Sequence, residues 1–199
     1  MKTMHLHISN LRNIFIALFA IVALCSCDQA DEKFKSYSVG FSTPNVKVWV
    51  SSAYLDQHIG ILGGSIKGAW GEGGAFNSVT DAPMPHEVYV NWEEDKTKLR
   101  YEATVKLVDD LAKRAKALPP FRYDDPEVEQ ARKREEGPNF NRGIVLIIGL
   151  APNGKVTVWL SNYPYSRYIT GRVLEVVGEA QGTLTKDVTP YYPSNKTQH

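Results

Sequence analysis

Gly143-Ile144-Val145-Leu146-Ile147-Ile148-Gly149-Leu150, then Ala151-Pro152-Asn153-Gly154, then Lys155-Val156-Thr157-Val158-Trp159-Leu160 carries the strongest local signal in the chain. Two runs rich in β-branched residues flank a segment in which Asn153 and Gly154 are free to take positive φ, which is the chemistry of a tight hairpin. The first run offers no polar position to either face, so it is expected to be a central strand buried on both sides.

Working upstream, Glu87 to Trp92 (Val88, Val90, Trp92 on one face) and Leu99 to Leu107 (Leu99, Tyr101, Ala103, Val105, Leu107) alternate with period two, and the charged Glu93 to Lys98 joins them as a second hairpin. Tyr37, Val39, Phe41 and then Val46, Val48, Val50 repeat the pattern around a turn at Pro44-Asn45. Downstream, Arg172 to Glu179 is expected to form a last strand. Two short helices interrupt the strands. One is capped by Asp109, turns Leu111, Ala115 and Leu118 to one face and stops at Pro119-Pro120. The other starts at Asp125-Pro126, carries Glu127 and Glu129 in its first turn and Arg132 to Arg134 near its end, and stops at Gly137-Pro138. It has almost no apolar face and belongs on the surface. Helices do not alternate with strands, so a doubly wound sheet is disfavoured. The expected class is mainly β with two short helices, an antiparallel β-sandwich or α+β sheet in a single domain.

The ends of the chain carry an address. Lys2 and Arg12 precede the apolar run Ile14 to Leu24, which is shorter than the ~20 residues a membrane-spanning helix needs. Leu24-Cys25-Ser26-Cys27 then resembles the lipobox of bacterial lipoproteins, with an aliphatic residue three places before Cys27 and a small one directly before it. Read around Cys25, the preceding residue would be the bulky Leu24. Residues 1–26 are therefore expected to be a cleaved signal peptide and 27–36 a lipidated tether. Residues 37–188 form the β-rich domain, and 189–199 a flexible tail. The resemblance implies a diacylglycerol thioether on Cys27 and often an acyl chain such as palmitate on its freed amine. Two or three chains anchor stably where one does not. Asp28 resembles the signal that retains lipoproteins in the inner membrane of enteric bacteria, so the expected location is the periplasmic face of that membrane.

Composition excludes several functions. Removing Lys2 and Arg12 from the 23 basic side chains leaves 21 against 22 acidic ones, which gives no footing for nucleic acid. With Cys25 discarded and Cys27 acylated, no thiol remains for a disulfide. The mature histidines, His58, His86 and His199, have no ligand spacing for zinc, and no acidic ladder suggests a calcium loop. Ser78, Ser161 and Ser166 stand in no nucleophile elbow. No cofactor, metal or catalytic residue is expected, and the chain is read as acting without catalysis.

Two segments invite a binding role. Residues 60–74 are rich in glycine but lack the Gly-Lys-Ser/Thr of a phosphate loop, so they are read as a twisted hairpin and flexible loop, or as a lid over a pocket. Asn162-Tyr163-Pro164-Tyr165-Ser166-Arg167-Tyr168 crowds three tyrosines and an arginine just after a core strand. Tyr163, Tyr165, Arg167 and Tyr168 either present large rigid contact area to a protein partner or simply cover the end of the sheet.

From the lipobox onward, and above all in the hairpin from Gly149 to Ser161, the chain resembles the bacterial lipoprotein family catalogued as domain of unknown function 2931. The strand ending in Trp92 and Tyr101 after it look similar too, while Asn153 stands where that family often has a second glycine. The resemblance covers residues 34 to 180 and names no active site. Members of that family often lie beside lipase toxins of contact-dependent (type VI) secretion systems. The resemblance therefore implies an immunity protein against a lipase effector, with a structural or ligand-binding envelope lipoprotein as the alternative.

Overall fold

The computed structural model describes residues 32–186. Cys27, Asp28 and the signal peptide lie outside the described residues, as does the tail from Thr189. The chain runs through β1 (Lys33–Ser42), β2 (Lys47–Leu55), β3 (Ile59–Gly60), β4 (Gly64–Lys67), β5 (Gly74–Pro83), β6 (Glu87–Glu94) and β7 (Arg100–Lys106). It continues through α1 (Leu111–Ala117), β8 (Arg122–Tyr123), α2 (Pro126–Glu136), β9 (Val145–Leu150), β10 (Lys155–Ser161), β11 (Ile169–Thr170), β12 (Leu174–Gln181) and β13 (Thr183–Leu184).

Two larger sheets form, one ordered β12-β10-β9-β1-β5 and the other β13-β7-β6-β2-β3, with β4 also on β2. One face of each contributes to a single core, in which Val39, Phe41, Ile148 and Val158 from the first sheet join Val50, Val90, Trp92 and Val105 from the second. The protein is thus a β-rich domain of two facing sheets, as the alternation of apolar residues dictates.

The hairpin sits where its composition demands. β9 is flanked by β10 and β1, and all six of its residues are buried. At the turn Gly154 takes φ 84°, whereas Asn153 instead accepts the Lys155 amide on its side-chain oxygen at 3.1 Å. The β6–β7 hairpin also forms, in antiparallel register from Glu87↔Lys106 to Glu93↔Arg100.

Several local expectations are corrected. β1 and β9 pair in parallel, Ser38 beside Val145 through Ser42 beside Gly149, so the sheet is not wholly antiparallel. A parallel pair needs a long crossover, and here β2 to β8 and both helices intervene. β1 begins at Lys33, so four residues read as tether are sheet, because Phe34 is buried in the core. β5 was not anticipated. As an edge strand it needs little apolar patterning, and it carries the edge-type residues Asp81 and Pro83. The last long strand is Leu174–Gln181, which leaves Arg172 outside it.

The helices differ in what holds them. α1 has Asp110, not Asp109, at its N-cap, without a side-chain cap bond, and is held by buried Leu111 and Ala115. α2 buries nothing, and the Asp125 side chain accepts from the amides of Glu127 and Val128. Such a cap contributes about 1 kcal/mol.

Candidate functional site

The face of the five-stranded sheet turned away from the core is set by period two. Gly40 on β1, Ile147 and Gly149 on β9, and Thr157 and Trp159 on β10 lie on it in register. Val145, Ile147 and Trp159 form a small second apolar cluster there. Trp70, from the loop after β4, sets its ring edge-on to Trp159 with centroids 4.9 Å apart. A Cβ at position 149 would come within 2.4 Å of the Trp159 ring, so a glycine at this point is what lets the indole lie against the sheet.

Two loops build on this cover and face each other across a cleft of about 860 Å³. One wall is glycine-rich and contains Lys67, Gly68, Ala69, Glu72, Gly73 and Gly74. The other contains Tyr163, Tyr165, Ser166, Arg167 and Tyr168, while Phe41, Tyr123 and Val128 complete the lining. All four residues singled out in the tyrosine-rich segment are thereby brought together on one cavity.

Polar contacts sew the walls to the sheet and to each other. The Ser42 hydroxyl donates to the Ala69 carbonyl at 2.9 Å and accepts the Gly71 amide at 2.8 Å, and the Gly68 amide donates to Thr43 Oγ1 at 3.1 Å. The glycine-rich segment is therefore pinned beside β1, which corrects its reading as a flexible loop. Across the cleft, the Gly73 amide donates to the Pro164 carbonyl at 2.9 Å. The Arg172 guanidinium donates to the carbonyls of Gly71, Tyr163 and Pro164 and lies 3.6 Å from Glu72. Glu72 in turn accepts the Ser166 amide at 3.0 Å. Arg172 is largely buried, with 11% of its side chain exposed, and burial pulls its pKa down from the usual arginine value while Glu72 opposes that pull. Behind the tyrosine wall, buried Asn162 donates to the carbonyls of Pro119 and Gly171 and accepts the Val173 amide at 2.8 Å.

The tyrosines are not equivalent. Tyr163 is half-buried, packs against Phe121 at 4.3 Å between centroids and meets Tyr123 edge-on at 6.0 Å. Burial, reinforced by a hydrogen bond with Tyr123, pushes its pKa up to about 12. Tyr165 touches Phe76 edge-on at 5.9 Å and is exposed. Tyr168 is 77% exposed and sits at φ 65°, where its carbonyl accepts the Asp124 amide at 3.0 Å. A bulky residue in the left-handed region is uncommon and is kept there by its surroundings. Covering the sheet explains Tyr163 and leaves Tyr168 unexplained.

Lys67, Glu72, Tyr123 and Arg172 were not picked out from the sequence. Lys67 and Glu72 stood within the glycine-rich segment, but nothing local ties them to the other wall: Arg172 and Gly71 are 101 positions apart, Glu72 and Ser166 94. His58 and His86 are exposed on the turns before β3 and β6, with His86 3.7 Å from Asp56, and neither lines the cleft. Among the described residues no three His, Cys, Asp or Glu side chains are grouped to hold a metal, and no helix is long and apolar enough to cross a membrane.

Among known proteins, the family model described as "Protein of unknown function (DUF2931)" matches residues 26–192. No curated protein and no solved structure matches the chain.

Proposed function

We propose, for a chain that belongs to the DUF2931 family of proteins of unknown function, that it is an envelope-anchored lipoprotein which acts by binding a protein partner in the cleft between its glycine-rich and tyrosine-rich walls. The observation that carries this reading is that Tyr163, Tyr165, Arg167 and Tyr168 line one cavity and that three of them are exposed in it. Tyrosine supplies rigid contact area with little rotamer entropy to lose, and tyrosine and arginine are both enriched where binding energy concentrates. A preformed cleft also lowers the ordering cost of association. Acylation at Cys27 would hold the domain at the periplasmic face of a membrane, where Asp28 favours the inner one. Such a protein needs no catalytic residue. The finer form of the reading is an immunity protein against a lipase effector of a type VI secretion system, which must stand where a phospholipase attacks.

The test is a pull-down of the full chain against a lipase encoded beside it, repeated with Tyr165→Ala and Tyr168→Ala. Retention of the lipase by the parent chain and its loss from the variants is expected. Failure to retain any neighbouring lipase sinks the immunity form, and unchanged retention by both variants sinks the cleft as its seat.

The cleft volume also falls within the several hundred cubic ångström typical of small-molecule sites. This favours, as a second reading, an envelope lipoprotein that binds a small ligand. Saturation of the cleft by a low-molecular-weight extract of the envelope, followed by intrinsic tryptophan fluorescence of Trp70, would support it.

A further inference from the structure

The cleft lining holds three charged side chains, and two of them are uncommitted. Glu72 is balanced within the wall by Arg172 and by the Ser166 amide. Lys67 and Arg167 stand one on each wall, both exposed, and among the described residues neither side chain has an ion-pair or hydrogen-bond partner. The acidic groups next to Tyr123 and Val128 are mostly engaged locally. Asp124 accepts from Thr170 Oγ1, Asp125 caps α2 and Glu129 accepts the Tyr123 amide, leaving Glu127 exposed in the same turn and outside the lining. The uncommitted charge facing the cavity is therefore positive, on a chain whose total charge is close to neutral.

We propose that the cleft receives an acidic segment of a partner protein, with its carboxylates directed at Lys67 and Arg167 and its apolar side chains laid on Tyr163, Tyr165 and Tyr168. This rests on the protein-binding reading above and adds the chemistry of the partner. A basic segment would meet two like charges with no carboxylate free in the lining to offset them. A neutral one would leave both cations unpaired and without any attraction to speed encounter. The cations are exposed at the rim, so their attraction acts mainly on encounter: they speed association and make it salt-dependent, while the tyrosines set how slowly the segment leaves.

Stopped-flow anisotropy with three dye-labelled peptides tests this on the full mature chain in detergent: one alternates Glu and Tyr, the second has Gln for Glu, and the third has Lys for Glu. The Glu peptide is expected to associate at least about tenfold faster than the Gln peptide at low salt, with the difference shrinking as salt rises. In the double variant Lys67→Glu/Arg167→Glu that order should invert in favour of the Lys peptide, with the melting temperature unchanged. Equal association of Glu and Gln peptides, both lost in Tyr165→Ala, overturns the acidic partner and leaves the protein-binding reading intact. A preference for Glu that survives the double variant places its source elsewhere and overturns the proposal. Binding of free glutamate as strongly as of the peptide assigns the cleft to a small anion and overturns both, as does failure of all three peptides to bind.

Discussion

The β9–β10 hairpin and the loop that follows it, residues 162–168, are contiguous in the chain and are held by different physics. Every residue of β9 is buried, and its stability comes from removal of apolar surface from water, which is non-directional and shared over many contacts. The loop buries little. It is placed by directional bonds that converge on a few side chains, Ser161, Asn162, Glu72 and Arg172. A segment placed this way can leave Tyr165, Arg167 and Tyr168 in solvent, and it depends on single residues as the hairpin does not.

The largest effect that tests this contrast belongs to the core. Ile148→Ala should lower unfolding free energy by about 2–5 kcal/mol, and Ile148→Val by about 0.5–1.5 kcal/mol, in urea titrations of the purified chain. A cost for Ile148→Ala below that of a loop substitution would break the comparison. Next comes Arg172→Ala, which removes one donor from each of the Gly71, Tyr163 and Pro164 carbonyls and the cation beside Glu72. We expect a loss of about 1–3 kcal/mol, with amide exchange accelerated at residues 68–73 and 163–166 and unchanged in β9. Arg172→Lys should not restore it, since an ammonium lacks the fork that reaches all three carbonyls. Exchange that rises throughout the domain would show the two regions to be one cooperative unit.

Smaller effects separate the tyrosines. Tyr168→Ala should leave stability within about 0.5 kcal/mol of the parent while costing partner binding more than ~1 kcal/mol. Tyr163→Ala should lower both, because that ring packs on Phe121. Melting curves alongside binding titrations distinguish the two cases. The smallest effect is a pH slope. A tyrosine whose folded pKa is near 12 stays neutral in the folded chain where the unfolded chain, near 10, has lost its proton. The folded state then binds more protons, and stability falls as pH rises from 10 to 12. Tyr37, whose pKa burial also raises, contributes in the same direction. Tyr163→Phe should therefore flatten the slope partly, as read from denaturation midpoints across that range. An unchanged slope would show that Tyr163 is as accessible as its loop neighbours.

How much was legible follows the same division. The hairpins and both helices were readable because an unbroken apolar run, a period of two, or a cap followed by proline states its preference within a dozen residues. β5 was not, since an edge strand with one face in solvent carries a polar sequence resembling a loop. The glycine-rich segment read as mobile because glycine permits motion. What pins it is Ser42 and Thr43, some 25 to 29 positions earlier. For the candidate site, the tyrosines were visible as a cluster of unusual composition, but their division into a packed Tyr163 and an exposed Tyr168 depends on Phe121, Tyr123 and Asp124 arriving from another part of the chain.

Local periodicity was enough to tell that strands dominate and which strand lies at the centre of its sheet, and capping fixed the bounds of α2, while the start of α1 was legible only to within a residue. The parallel pairing of β1 with β9, the meeting of the glycine-rich and tyrosine-rich segments as opposite walls of one cleft, and the bonding of Arg172 and Glu72 between them came from the folded chain alone. Those arrangements rest on contacts between residues tens to a hundred positions apart. Their energy appears only once the sheet has brought the partners together, so no local pattern in the chain records them.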